Sequence, residues 1–488
     1  MFARTITIIV VLAILFSSFT ITLADPPRPI ITDPALVDMD ARTKEVQDLR
    51  FGMFICWSFS SFSGYEWTPG VDDVNFFNPT GFDPDQWVKT VKDSGMKYIL
   101  FLTKHHDGFC LWNTDTTGRK VTKTKALEGV DVLDEVRKAC DRHGIRLALY
   151  FSEGDWSWSG RKDIHTSVAK PEIKKAQLRE LLTRYGPIEY IWFDHAVGDG
   201  GLNHADTAAF VKSIQPGCFV GFNHGDQSGA DIRLGERGSA APLDDTSAAS
   251  IGSEKRASHM RGHSEFRLAE FTYPILEGQG RIGLRGAQWF YSLPENDNRC
   301  AKPEKIYRDY LGAVRFDNIF SLDVGPDRSG RIREIDVQTL KTVGEYIRGE
   351  RTLPPPPIFE GLGTKITASS VWQDDPTYSA TKAIDGNRST RWGAAEESRE
   401  GWIAVELPEA VTVESAIVVQ GSFNRIESYQ LQALIDGEWK TVAEGKTLTD
   451  EQKIEFSPVT SNQFRLEVTK ASEVPSITEF QLFEHIDQ

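Results

Sequence analysis

The stretch Thr103-Lys104-His105-His106-Asp107-Gly108-Phe109-Cys110-Leu111-Trp112 follows directly on the apolar run Tyr98-Ile99-Leu100-Phe101-Leu102. That run has the length and unbroken hydrophobicity of a strand buried on both faces. Two histidines, an aspartate and a tryptophan crowded behind such a strand serve no packing purpose. Ligands of parallel α/β folds bind at the carboxyl ends of strands, so the sequence predicts a polar pocket with an aromatic wall here.

On either side, from about Arg50 to Gly349, apolar runs alternate with amphipathic segments. Strands are predicted at Phe51–Ile55, Tyr98–Leu102, Arg146–Phe151, Glu189–Phe193, Phe219–Phe222 and Ile319–Leu322. One helix spans Asp131–His143, apolar at Val132, Val136 and Ala139, and stops at Gly144. A second opens at Pro171, runs to Tyr185 and stops at Gly186. Such alternation implies a parallel sheet, and its length fits a (β/α)8 barrel. Polar or aromatic side chains follow each strand: His105-His106-Asp107, Ser152-Glu153-Gly154-Asp155-Trp156, Asp194-His195 and Asn223-His224-Gly225-Asp226. They should converge on one barrel mouth. No glycine-rich phosphate turn follows an early strand, which sets aside a doubly wound open sheet.

The tetraproline Pro354–Pro357 and Gly361-Leu362-Gly363 mark a stiff linker over 354–363. The barrel is accordingly expected over 25–353 and a β-sandwich over 364–488. The latter shows short alternating strands (Val411–Val419, Tyr429–Ile435, Phe464–Val468) and the turn Asp436-Gly437. Its elements Ala383-Ile384-Asp385-Gly386-Asn387, Thr390-Arg391-Trp392 and Trp402-Ile403-Ala404-Val405-Glu406-Leu407 resemble the discoidin, or coagulation factor type C, domain.

Composition narrows the class. The 488 residues carry 40% hydrophobic and 11% aromatic side chains, enough for sizeable cores, and a net charge of −15 argues against nucleic-acid or anionic-membrane partners. Arg4, the apolar stretch Ile6–Phe16 and Thr22-Leu23-Ala24 read as a signal peptide over 1–24, predicting a secreted or periplasmic protein. The five cysteines, Cys56, Cys110, Cys140, Cys218 and Cys300, are odd in number and lack CxxC spacing. This argues against a disulfide framework and a zinc site. Nothing in the sequence sets the oligomeric state.

The segment Lys104–Phe109 closely resembles the KHHDGF signature of glycoside hydrolase family 29, the retaining α-L-fucosidases. Further matches are Glu66-Trp67, Tyr150 with Ser152 before Asp155-Trp156, Tyr185-Gly186-Pro187 ahead of Trp192-Phe193-Asp194, and Trp289-Phe290-Tyr291. Val324–Ile332 matches the element that closes the family's barrel and reads as structural. The resemblance implies an exo-acting enzyme that releases α-linked L-fucose from glycans by double displacement. It needs no metal or organic cofactor.

Glycosidic bonds are usually cleaved by two carboxylates. Position alone leaves Asp194 open between a nucleophile and a cap for the following turn; the resemblance implies the nucleophile, with His195 where glycine is usual. The acid/base element of one family branch, D-[VI]-R-W-x-G-x-E-x-G, corresponds to Asp231-Ile232-Arg233-Leu234-Gly235-Glu236-Arg237-Gly238. This is two residues shorter, both missing between the aspartate and the glutamate, and lacks the tryptophan. Glu236 is the implied acid/base, with Glu270 and Glu277 in reserve. Glu66, His105 and His106 are expected to bond sugar hydroxyls, and Trp67, Tyr150, Trp192 and Trp289 to supply the aromatic wall. Cys56 stands where the family usually has a sugar-contacting histidine, which keeps an α-L-galactosidase, or another L-sugar exo-hydrolase, as an alternative. An alternative of another class is a non-catalytic glycan-binding protein.

Overall fold

The computed structural model describes residues 28–159, 169–194, 200–224, 227–236, 266–276, 289–290, 299–315, 317–353, 364–386, 390–420 and 424–485. The predicted signal peptide lies outside them. The chain forms two compact units: Met1–Ser63, Trp67–Tyr273 and Tyr310–Arg333 make the first, and Gly64–Glu66, Pro274–Asp309 and Glu334–Gln488 the second.

The first unit is built on eight strands: β1 (Phe51–Ile55), β2 (Tyr98–Lys104), β3 (Arg146–Ser152), β4 (Tyr190–Asp194), β5 (Phe219–Phe222), β6 (Ile232–Glu236), β7 (Leu268–Pro274) and β8 (Ile319–Asp323). Their order is β5-β4-β3-β2-β1-β8-β7-β6, with parallel registers between neighbours. The two ends of this list meet through Asp231. Its backbone N–H donates to the Val220 carbonyl at 2.7 Å, and its Oδ2 accepts from the Val220 N–H at 2.9 Å. A side-chain clamp thus closes the barrel at the β5–β6 seam.

Local sequence explains the helices that alternate with these strands. Among the described residues they are α1 (Met39–Gln47), α2 (Ser60–Ser63), α3 (Pro84–Asp93), α4 (Val132–His143), α5 (Pro171–Arg184), α6 (His204–Ile214), α7 (Pro303–Arg315) and α8 (Glu334–Ile347). Asp131 caps α4 by accepting from the Asp134 N–H at 3.1 Å, and Gly144 ends it in the left-handed region at φ 70°. Val132, Val136 and Ala139 form its buried stripe. Proline opens α5 with a φ already suited to the first helical turn.

The expected strands all appear, with β2, β3, β4 and β8 running slightly further than predicted, and β6 and β7 are additional. Their sequences explain the omission. Arg233 and Glu236 interrupt β6, while Glu270 and Thr272 interrupt β7, so neither presents an apolar run. The barrel interior takes up some of that polarity. The Tyr190 hydroxyl donates to Glu270 Oε1 at 3.2 Å, the hydroxyls of Tyr98 and Ser321 are 2.6 Å apart, and Thr272 donates to the Ser321 carbonyl at 2.6 Å. Buried polar groups are tolerated when bonded in this way.

In the second unit, antiparallel strands follow the order β13 (Glu438–Gly445), β12 (Ile426–Ile435), β14 (Glu451–Ala471), β11 (Gly401–Val419), β16 (Glu479–Glu484). A short strand, β9 (Lys365–Ala368), joins β11, and β10 (Trp392–Gly393) pairs with β15 (Ser476–Ile477). Asp436 and Gly437 both have positive φ, 54° and 82°, the type I′ geometry that a two-residue hairpin between β12 and β13 requires. Trp392 is fully buried in the core with Ile403, Val405, Phe464, Leu466 and Phe480. Lys302 pairs with Glu451 at 2.7 Å within this unit.

Candidate active site

Asp194 ends β4, and its side chain keeps 13% of its surface exposed. Four side chains converge on its carboxylate. The Tyr150 hydroxyl donates to Oδ2 at 2.7 Å, and the Asn223 amide donates to Oδ1 at 3.1 Å. His224 Nδ1 lies 3.2 Å from Oδ1, and His106 Nε2 lies 3.5 Å from Oδ2. Burial opposes ionisation, but the bond from His224, the charge of His106 and the donors Tyr150 and Asn223 outweigh it. The carboxyl is held well below the usual carboxylate range.

The string that follows β2 provides part of this pocket. Ser152 Oγ donates to the Gly154 carbonyl at 2.7 Å, so it accepts at 2.8 Å from a proton on His106 Nδ1. That network places a proton on Nδ1, and as an imidazolium His106 points its second N–H, on Nε2, toward Asp194. The His105 and His106 rings lie 4.1 Å apart; burial, then the neighbouring His106, pushes His105 well below its usual range and keeps it neutral. Asp107 Oδ1 accepts from the Phe109 N–H at 2.8 Å, forming the turn, and burial pushes its carboxyl up to about 6. Gly108 has φ 78°, and a Cβ there would come within 2.2 Å of Asp155 Oδ1. Only glycine fits this crossing of two loops.

An aromatic wall stands beside the carboxylate. The half-buried Trp67 ring lies 6.2 Å from His106 and 6.0 Å from Trp156, and Trp156 lies 5.4 Å from His106. Tyr150 stacks on Trp192 at 5.3 Å, and the Trp192 indole donates to Glu270 Oε2 at 2.8 Å. Trp192 is buried, so it supports Tyr150 from beneath. Glu270, a reserve acid/base candidate, is engaged by Trp192 and Tyr190 inside the barrel.

Of the residues expected at the site, Asp194, His105, His106, Tyr150, Trp67 and Trp192 therefore come together. Glu66 and Trp289 are buried and belong to the second compact unit. Glu236 ends β6 in register with Thr272, while its side chain, and the reserve candidate Glu277, lie outside the described residues. Asn223, His224 and Trp156 are additional members of the pocket. Each follows a strand end, which was the available signal. Cys56 is buried just beyond β1, and the five cysteines form no disulfide with one another. Among the described residues, no cluster of histidine, cysteine and carboxylate side chains could hold a metal ion.

An ionised carboxylate at the mouth of a parallel barrel, flanked by histidines and a partly exposed indole, is the equipment of a sugar-cleaving hydrolase. Comparison with known proteins agrees. The alpha-L-fucosidase family model matches residues 71–350, and the F5/8 type C domain model matches residues 365–480. The chain belongs to the alpha-L-fucosidase family, glycoside hydrolase family 29, and carries a C-terminal discoidin-like domain. It is 27% identical over 453 residues to alpha-L-fucosidase 1 of Arabidopsis thaliana, covering 88% of this chain and 84% of that protein. A putative alpha-L-fucosidase from Bacteroides thetaiotaomicron shares the fold at a TM-score of 0.52 and 22% identity, over 94% of this chain and 98% of that one. A Ruminococcus gnavus family 29 fucosidase in complex with fucose gives 0.50 and 22%, over 95% and 97% of the two chains.

Proposed function

We propose that this chain is an exo-acting, retaining α-L-fucosidase that uses Asp194 as its nucleophile. The observation that carries the reading is the carboxylate itself: it is fixed at a strand end by Tyr150, Asn223, His224 and His106, held ionised, with Trp67 against the His106 ring. In the first step an Asp194 oxygen attacks the anomeric carbon of a terminal α-linked fucose. Glu236 donates its proton to the departing glycosidic oxygen, and a fucosyl ester forms on Asp194. Glu236, now a carboxylate, takes a proton from water, which attacks the same carbon and frees Asp194. Two inversions leave the released sugar in the α configuration.

Burial among aromatic rings suits the charge development. The transition state is positive at the sugar ring, and an ionised carboxylate in a poorly solvated site stabilises it more than water would. Neutral His105 and the Nε2 of His106 are suited to bonding fucose hydroxyls, and Trp67 to covering an apolar sugar face. The substrate is a fucosylated glycan. We also propose export from the cytoplasm, on the strength of Arg4, Ile6–Phe16 and Thr22-Leu23-Ala24.

The test is hydrolysis of an aryl α-L-fucoside beside the matching α-L-galactoside, followed by NMR from the first seconds. Preferential turnover of the fucoside with α-L-fucose appearing first supports the proposal. Initial release of the β anomer would overturn the mechanism, and no turnover of either glycoside would overturn the enzyme reading.

A further inference from the structure

The loop leaving β3, Ser152-Glu153-Gly154-Asp155-Trp156, divides its side chains between two environments. Ser152 and Trp156 meet His106 in the pocket. Glu153 and Asp155 instead reach buried ammonium groups behind it. Lys174, on the first turn of α5, is fully buried; its Nζ donates to Glu153 Oε1 at 2.5 Å, Thr207 Oγ1 at 2.7 Å and the Leu202 carbonyl at 3.1 Å. The other Glu153 oxygen meets His204 Nε2 at 3.1 Å. Lys104, also fully buried, lies 3.4 Å from Asp155 Oδ2 and donates to Gln177 Oε1 at 3.1 Å.

An ion pair so deeply buried is a poor source of stability, because desolvation offsets most of its attraction. What Glu153 and Lys174 do hold is the site. The Glu153 N–H donates to the Asp194 main-chain carbonyl at 2.5 Å, across the β3–β4 register that pairs Ser152 with Asp194. On the other side, the His204 ring stacks on Phe222 at 4.0 Å with 8° between planes. Phe222 immediately precedes Asn223 and His224, both of which touch the Asp194 carboxylate.

We propose that Glu153 and Lys174 are positioning residues for the reaction: a buried ion pair that fixes the main chain of Asp194 and, through His204 and Phe222, the two donors that β5 supplies to its carboxylate. The inference rests on Asp194 being the nucleophile. Gly200 fits the same picture, since a Cβ there would lie 2.9 Å from the Glu153 carbonyl and 3.2 Å from Lys174 Cδ. The chain passes this close to the pair because no side chain intervenes.

The pair is tested by replacing both members together, Glu153→Gln with Lys174→Met, which removes its two opposite charges at once. Folding is checked by circular dichroism and melting. On an aryl α-L-fucoside, kcat should fall roughly tenfold to a hundredfold while KM changes far less, as expected when the nucleophile is misplaced by a fraction of an ångström. The acidic limb of the kcat/KM profile should also move to higher pH. Asp194 would then be held less firmly by Tyr150, Asn223, His224 and His106, the groups that keep it ionised beside neutral His105. A folded double variant with wild-type kcat and an unmoved acidic limb overturns the proposal. If the double variant does not fold, Thr207→Val decides, since it removes one Lys174 acceptor at nearly constant volume: a smaller loss of kcat in the folded protein supports the clamp, and unchanged kcat overturns it. A wild-type protein without fucoside turnover overturns the functional reading, and the clamp's role with it.

Discussion

Tyr150 and Asp194 are joined by a 2.7 Å hydrogen bond between neighbouring strands, while the Tyr150 ring rests on Trp192. The phenol therefore aims one carboxylate oxygen and helps hold it ionised. Tyr150→Phe keeps the stack and removes the donor. A hydrogen bond to a charged group contributes about 1.5–3 kcal/mol, so kcat/KM should fall on the order of tenfold or more. The acidic limb should rise toward the ordinary carboxylate range, because Asp194 loses one of the groups lowering its pKa. An unmoved limb and unchanged rate would show that the phenol is only a support.

Asp194→Gly should lower kcat by roughly 10⁴-fold or more, since a covalent nucleophile acts mainly in the transition state. Ground-state fucose binding, read as a thermal shift, should persist. Added azide should restore turnover of an aryl fucoside with a good leaving group and give the β-fucosyl azide. Retention of wild-type turnover would remove Asp194 from the mechanism.

The acid/base role separates Glu236 from Glu270 by leaving-group dependence. Glu236→Gln should slow release of fucose from an alkyl or sugar aglycone by roughly 10²–10⁴-fold and from a dinitrophenyl fucoside far less, because only the former needs a proton. Glu270→Gln should show no such dependence, as Glu270 is held by Trp192 and Tyr190 within the barrel. The reverse pattern would transfer the role to Glu270.

Asp107 has a stability signature of its own. Burial raises its folded pKa to about 6, above that of the unfolded chain. The neutral acid is favoured in the fold, so its contribution is complete below about pH 4, declines as pH rises and is gone above about pH 6. Asp107→Asn keeps the acceptor for the Phe109 N–H without the titration. Relative to wild type, the variant should therefore gain on the order of 1–3 kcal/mol on going from pH 4 to pH 7.5. Urea unfolding at the two pH values measures this; a constant offset would refute it.

Strands with unbroken apolar runs were legible from the residues alone, as were the caps Asp131 and Gly144 and the turn at Asp436-Gly437. Each is decided by its own neighbours. β6 and β7 were not, because Glu270 and Thr272 find partners on strands distant in the chain. The pocket was legible as a set of strand ends, which pointed to His105, His106 and Asp194. Asn223 and His224 were visible in the same pattern, but their aim at Asp194 depends on where β4 and β5 stop in register. Trp192 looked like a wall residue, whereas its indole proton goes to Glu270, a pairing that no spacing discloses.

The Asp231 clamp reaches further than closure of the barrel. Because side chains alternate along a strand, sliding β6 by a single position would exchange the side on which each of its residues emerges. Asp231 anchors that count at one end, five residues before Glu236. This segment is also two residues shorter than the family pattern it resembles, and both residues are missing between Asp231 and Glu236. The seam therefore works as a ruler: the distance from a fixed hook to the proposed proton donor is measured in residues, a shortening by two keeps residue 236 on the same side of the strand, and a shortening by one would reverse it.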